Sequence, residues 1–590
     1  MSEKVSKKRK FDFSLLARII SLAAPYKKLF ALTIILAITV APVSMLRPYI
    51  VSVMIDDYIL RTDMPGLYKM AIVFVIVVFL TVLLRYLMIY FSSLLGQSVI
   101  RDLRKNVFDH ITSLRLRYFD QTPIGKVTTR TINDVETINT VFTQGLITMS
   151  ADLLGIFAVI GIMFFTSWRL TLLVLSVFPF LIISAYIFKE KVKVAFEKVR
   201  GELSNMNAFL QERITGMNII QIFNAEKQEM LKFKKINRRY TQANLDAITY
   251  YAIFFPVVEM FNYLTLATLV YVGANYVIHE EVTLGALIAF PWYINLLFSP
   301  VRQLADKFNT LQMGMVAGER VFLELDRREL IPDHGYRQPK SLDGSVEFKD
   351  VDFSYDGEQT ILKKVSFTLD AQKTMAIVGS TGSGKTTIIN VLARFYDIAG
   401  GQVLIDGEDI KTYQLKDLRS KMAVVLQDVF LFYGSVYDNI TLRDTSISLD
   451  KVKEAAASIG ADKFIDVLPN GYEYEVMERG VNLSMGQRQL ISFVRALVFD
   501  PDILILDEAT SSIDTETEEI IQYAIEKLIA RRSSIIIAHR LSTIRNADYI
   551  MVMDKGEVLE FGHHNDLMKN SEGKYRELYD MQFNSEEVMG

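Results

Sequence analysis

Val378 to Thr387 read VGSTGSGKTT, and within them Gly379, Gly384, Lys385 and Thr386 satisfy G-x-x-x-x-G-K-[ST]. The apolar run TMAIV precedes this stretch and the helical pattern TTIINVLARF overlaps its end, which predicts strand, tight loop and helix in that order. In such a loop the backbone N–H groups turn inward around phosphate oxygens, and the helix N-terminus adds positive potential. Gly379, Ser380, Thr381, Gly382, Ser383, Gly384, Lys385, Thr386 and Thr387 therefore form a candidate nucleotide cradle. Lys385 can reach the β- and γ-phosphates, and the Thr386 hydroxyl can ligate Mg²⁺.

Working outward toward the C-terminus, ILILDEAT is an apolar strand that ends on two carboxylates, Asp507 and Glu508. A buried strand has no structural need for that pair at its tip. Asp507 fits association with Mg²⁺, and Glu508 fits polarisation of an attacking water. From about Ser345 onward, strand-like runs (VEFKDVDFSY, TMAIVGS, MAVVLQD, ILILDE, SIIIAH, YIMVMDKG) alternate with helical patterns, so this half is an α/β domain with a largely parallel sheet.

Toward the N-terminus the composition changes. The chain has 590 residues, more than one core usually supports, with 50% hydrophobic and 23% charged residues; a membrane part joined to a soluble part accounts for that mixture. The net charge of -3 argues against nucleic acid as the main partner, and the absence of cysteine excludes disulfides, thiol catalysis and zinc-thiolate sites. Six stretches approach the ~20 apolar residues that a helix needs to cross a bilayer: about 29–54, 70–92, 142–165, 169–188, 250–278 and 283–301. In hydrocarbon each must satisfy its own backbone, so all six are expected to be helices. Lys4, Lys7, Lys8, Arg9 and Lys10, and the basic stretches 101–130 and 189–239, lie on one side of these spans. The opposite loops are short and poor in base, which places both termini and the α/β domain in the cytoplasm. The basic stretches carry apolar residues at three- and four-residue spacing, as helices extending out of the membrane would. FDFSLLARIISLAAPYKK is amphipathic, with Phe11, Leu15, Leu16, Ile19, Ile20 and Ala23 on one side. That pattern suits a helix on the membrane surface or one packed on protein. The expected layout is a basic segment and elbow helix at 1–28, an all-α six-helix transmembrane domain at 29–325, a linker at 326–345 and a nucleotide-binding domain at 346–590.

Between the phosphate loop and ILILDEAT lies NLSMGQRQ. Leu483 to Gln487 resemble the LSGGQ signature of ATP-binding cassette (ABC) proteins, and the remaining motifs agree in order. Tyr355 in FSYDG resembles the aromatic that stacks on adenine, and Gln427 in VLQD the glutamine linking Mg²⁺ to the membrane domain. Asp514 in SSID resembles the D-loop residue, and His539 in IIAHR the histidine that senses the γ-phosphate. YEVMERG, Tyr474 to Gly480, resembles a loop that exporters of this family place near their coupling helices. YFDQTPIGKVTTRTINDVETI and ERITGMNIIQIFNAE are similar to ABC exporter cytoplasmic loops, with coupling helices implied near 112–125 and 208–217. The resemblance covers about residues 12–583 and identifies a half-transporter similar to bacterial lipid flippases and multidrug exporters. Two departures are present: Met485 replaces a signature glycine, and Ser512-Ile513 stand where Ala-Leu is frequent.

The resemblance implies that Ser484, Gly486 and Gln487 cap the ATP held by a second chain's Lys385, with Thr386, Gln427 and Asp507 at Mg²⁺ and Glu508, His539 and Gln427 in hydrolysis. Complete motifs favour a homodimer, with a heterodimer subunit or an ATP-gated channel as alternatives. The implied substrate is an amphipathic drug or lipid. Arg85, Glu259 and Arg302 are candidates for its cavity because charge inside spans is costly; Arg47 and Asp152 share that feature. Phe254, Phe255, Phe261, Tyr263, Trp292, Tyr293 and Phe298 either line that cavity or pack helices.

Overall fold

A computed structural model describes residues 12–330, 333–507, 515–538 and 541–583. The chain forms two compact units. One takes the residues up to 112 together with 123–327, the other 113–122 together with 328 onward. The short segment 113–122, flanked on both sides by membrane-unit helices, thus belongs to the second unit.

The first unit is entirely helical. Among the described residues five helices are long and apolar enough to cross a membrane: Ala24–Ile59, Met64–Thr112, Ile124–Thr166, Trp168–Thr215 and Glu226–Ile278. The sixth, Leu284–Leu325, has a shorter apolar part at Leu284–Pro300, because Arg302, Asp306 and Lys307 follow at once. Three of these helices run 48 to 53 residues. At 1.5 Å per residue each is roughly 70–80 Å long, against about 30 Å of hydrocarbon, so a large part of each stands outside the apolar layer. Ser167 and Thr283 cap the helices that follow them, accepting from Leu170 N at 3.5 Å and Ala286 N at 3.2 Å. The interior packs aromatics: Phe188 stacks on Phe254 with centroids 3.9 Å apart, beside fully buried Phe290, Tyr293 and Phe298. Phe255, Tyr263 and Trp292 are exposed, so the aromatic set divides between helix packing and the outer surface.

The amphipathic helix Phe13–Ser21 packs on protein. Ile19 is fully buried, a Cβ at Gly318 would lie 2.9 Å from its Cδ1, and the Arg18 guanidinium covers the Phe322 ring at 4.1 Å. Arg18 also grips Asp326 through two bonds of 2.7 and 2.6 Å. Gly318 lies 18 residues beyond Pro300, which is about 27 Å along the helix. For the described residues this helix thus packs on Leu284–Leu325 through Ile19 and Arg18.

Near the same helix end an ionic group is buried. Glu324 is 1% exposed, pairs with Arg130 and lies 3.2 Å from Arg327; Arg320 reaches Asp134 at 3.5 Å. Removing one partner of a buried pair leaves an uncompensated charge, at a cost of about 3–5 kcal/mol. Glu324→Ala is expected to lower the thermal unfolding midpoint of the purified protein in nanodiscs. A midpoint equal to wild type would contradict the importance of this network.

The second unit holds two main sheets. Six strands lie in the spatial order Glu557–Gly562, Tyr549–Asp554, Thr374–Gly379, Ser533–Ile537, Ile503–Asp507, Met422–Val425, all parallel except the first, an edge strand. Parallel strands are covered on both faces, which is why TMAIV and ILIL are unbroken apolar runs. A separate antiparallel sheet has the order Leu362–Leu369, Val346–Phe353, Gly400–Ile405, Glu408–Asp409. Its strands alternate, as Leu362–Leu369 does in LKKVSFTL. VEFKDVDF therefore belongs to this sheet rather than to the parallel one.

Candidate functional site

In the parallel sheet, Ile537 pairs with both Ile377 and Asp507, and Val425 lies opposite Leu506. That register brings the end of Thr374–Gly379 with its loop, Asp507, and Gln427 two residues past Val425 to one carboxyl edge. In open α/β sheets this edge is where ligands bind. Glu508, Asp514 and His539 lie outside the described residues.

The phosphate loop is built by close backbone approach. Gly384 has φ 103° and caps the helix Lys385–Leu392, and a Cβ there would meet Leu362 Cδ2 at 2.9 Å. Gly379 has φ 153°, and its Cβ would sit 2.2 Å from the Met553 carbonyl oxygen. Glycine is thus required at both positions by conformation and by space. Lys385 is 9% exposed and donates to the carbonyl oxygens of Gly379 at 2.8 Å and Ser380 at 3.0 Å. Burial pushes its pKa down, and the charge of Asp507 pulls it back up. Ser383 is 1% exposed, and among the described residues its hydroxyl has no hydrogen-bond partner. Such a buried hydroxyl and an ammonium held by carbonyls both fit a phosphate chain. Thr386 is exposed at the start of the helix. Thr386, Asp507 and Gln427 offer oxygen donors, and among the described residues no cluster of three His, Asp or Glu exists. That donor set suits Mg²⁺ shared with phosphates better than an all-protein metal cage.

Tyr355 stands beside this loop. Its ring meets Phe353 at 4.8 Å and Tyr396 at 5.0 Å, both edge to face. Its hydroxyl donates to Thr387 Oγ1 at 3.2 Å and accepts from Asn390 Nδ2 at 3.0 Å. Asp356 fixes the turn that follows: bonds from the Gln359 and Glu358 N–H groups and the Ser354 hydroxyl hold its carboxyl down to about 2.

Ser484 is the N-cap of the helix Met485–Val498. Its hydroxyl accepts from Gln487 N at 3.2 Å, and the Gln487 side chain returns to Ser484 N at 3.0 Å. Leu483 and Gly486 are buried, whereas Met485 is 46% exposed in the first turn. The side chain that replaces a glycine therefore points away from the packed interior. In the loop before the signature, Tyr474 to Gly480, Met477 is exposed, as is Val481 just beyond.

The helix Leu116–Gln121 sits in this unit too. Arg115 N donates to Glu329 O at 3.0 Å, its Nε donates to Leu330 O at 2.7 Å, and its guanidinium reaches Asp397 at 3.5 Å. Asp120 accepts from the Tyr396 hydroxyl, and Tyr118 is fully buried. The second implied coupling point is the turn between Thr215 and the short helix Met217–Ile222, with Ile214, Ile219, Ile222 and Phe223 exposed. Of the cavity candidates, Arg85 and Glu259 are exposed on the helical unit, and Arg302 falls within Leu284–Leu325. Asp152 is paired with Lys307, a residue that hydropathy alone does not single out.

Comparison with known proteins agrees with this geometry. Residues 30–301 match the ABC transporter transmembrane region, and residues 362–511 match the ABC transporter family of cassettes. The chain is 38% identical to the uncharacterized ABC transporter ATP-binding protein YknV of Bacillus subtilis, over 98% of this chain and 96% of that protein. It is 38% identical to the probable multidrug resistance ABC transporter YheH of the same organism, over 84% of this chain and 73% of YheH. It is 32% identical to the ATP-dependent lipid A-core flippase of Syntrophus aciditrophicus, over 99% and 97%. The chain belongs to the ABC transporter family. It is an integral, multi-pass membrane exporter that binds and hydrolyses ATP.

Proposed function

We propose that two copies of this chain export amphipathic molecules, drugs or lipids, by clamping ATP between their cassettes. In each site Lys385 and the loop 379–387 hold the phosphates, Tyr355 stacks on adenine, and Ser484, Gly486 and Gln487 of the other copy close over the γ-phosphate. Thr386, Gln427 and Asp507 would hold Mg²⁺, which neutralises charge on the phosphates. Glu508 orients the attacking water, and His539 and Asp514 complete the site. ATP binds the closed pair more tightly than the open one, so it shifts that equilibrium and turns the membrane path outward. Hydrolysis removes the ligand that favours closure. The basic stretches support an orientation with both termini and the cassette in the cytoplasm.

One observation carries this reading. The chain carries two ends that suit a phosphate, the glycine loop and the exposed N-terminus of the helix Met485–Val498, and the Ser484 side chain is bonded only to Gln487 among the described residues. A hydroxyl that accepts a cap bond still has its own hydrogen to donate to a phosphate. The relatives named for multidrug resistance and lipid A-core flipping support an amphipathic substrate for this chain, with Arg85, Glu259 and Arg302 as candidate contacts.

Export is tested with inside-out vesicles containing the purified protein: ATP should drive accumulation of a hydrophobic dye or a labelled lipid against its gradient. Equilibration without accumulation would point to an ATP-gated channel. A requirement for a second, different chain would point to a heterodimer. The Ser484 hydroxyl and the Gly486 N–H do not depend on the Met485 side chain, which is exposed in the single chain, so Met485→Gly is expected to keep ATP hydrolysis within about tenfold of wild type. A larger change in steady-state hydrolysis would show that the Met485 side chain itself takes part in closing the site.

A further inference from the structure

One side chain joins the nucleotide site to the segment between the membrane helices, and no sequence motif points to it. Tyr396 follows the phosphate-loop helix by four residues and is half-buried. Its ring stands edge-on to Tyr355 at 5.0 Å, with an interplanar angle of 90°, and meets Phe353 at 5.8 Å. Its hydroxyl donates to Asp120 in the helix Leu116–Gln121. The neighbouring Asp397 takes Arg115 of the same segment at 3.5 Å. Tyr396 thus touches the proposed base-stacking ring with one end and the membrane-domain segment with the other.

We propose that Tyr396 is a positioning residue that reports base occupancy at Tyr355 to the segment 113–122. The physical basis is simple. Tyr355 is held by its hydroxyl bonds to Thr387 and Asn390 and by the perpendicular Tyr396 ring. A base stacking on Tyr355 fixes that ring, and edge-to-face packing transmits the restriction to Tyr396. Ordering the Tyr396 ring strengthens the bond from its hydroxyl to Asp120 and holds the segment more firmly. Coupling of this kind needs no large displacement, only that one ligand bears the ordering cost of another contact. Segment docking itself has further supports, the Leu114–Leu330 bridge and the bonds from Arg115, so loss of the Tyr396 hydroxyl leaves the segment in place.

This proposal rests on Tyr355 contacting adenine, and hydrogen exchange in the full-length protein in nanodiscs separates the two ideas. In wild type, ATP with vanadate should slow amide exchange both in the peptide spanning 380–392 and in that spanning 114–122. Tyr396→Phe keeps the ring and removes one hydrogen bond. It should retain ATP affinity and protection of 380–392, while losing about fivefold of the ATP-dependent protection at 114–122, the worth of one hydrogen bond. Asp120→Ala, which removes the acceptor, should do the same, and the double variant should be no worse than either single one. Tripolyphosphate, which lacks the base, should protect 380–392 without protecting 114–122. The proposal is overturned if Tyr396→Phe protects 114–122 as wild type does, or if tripolyphosphate protects it as ATP does. Tyr355→Ala reports separately: unchanged ATP affinity there would remove the stacking role of Tyr355 and the relay with it.

Discussion

Glu508→Gln is expected to bind ATP normally while turning it over about 10²–10⁴ times more slowly, the range by which a positioned general base accelerates a reaction. The substitution preserves shape and removes the carboxylate proposed to accept a proton from water. Asp507 ends an apolar strand and lies level with Ile377 of the phosphate-loop strand, and Glu508 is the next residue in the chain. Because ATP binding is untouched, the variant should also accumulate in the closed, ATP-bound form. Phosphate release under saturating ATP checks the rate, and retained radiolabelled ATP after rapid desalting checks the trapped state. Turnover within about threefold of wild type would remove Glu508 from the base role.

Lys385→Ala acts at the preceding step. Lys385 is 9% exposed, and among the described residues its ammonium donates to two backbone carbonyls, an arrangement that costs desolvation and gains little until an anion arrives. A charge-assisted bond to phosphate contributes about 1.5–3 kcal/mol, so its loss is expected to weaken ATP binding about 10- to 100-fold. The carbonyls of Gly379 and Ser380 lose their donor as well. Equilibrium titration with a fluorescent ATP analogue measures the change, and affinity equal to wild type would show that the loop holds phosphate without this side chain.

Much of the site is legible in the chain because its constraints are local. Gly379 and Gly384 adopt backbone angles and approach distances that exclude a side chain, so the loop must be written with glycine. ILILD is unbroken because a central parallel strand is buried on both faces. Ser484 and Gln487 form a capping box that marks a helix start in any sequence. What stayed hidden depends on pairs distant in the chain. Tyr396 meets Asp120 across 276 positions, and Arg18 grips Asp326 across 308. Neither contact leaves a period or a composition shift. Lys307 follows the last apolar stretch and reads as an ordinary stop signal until its pairing with Asp152 is seen. VEFKDVDF reads in sequence like the parallel strands because alternation identifies a strand but not the sheet that receives it.

The central claim is that the phosphate loop of one copy is completed by the signature of another. The chain lacks cysteine, so thiols can be introduced singly. Copies carrying Ser380→Cys and copies carrying Ser484→Cys, both with Glu508→Gln, are mixed in nanodiscs and oxidised with and without MgATP. An ATP-dependent disulfide joining the two kinds of copy is the expected result. If the mixture binds ATP as Glu508→Gln alone does, yet no such cross-link forms, cassettes do not close on each other's nucleotide.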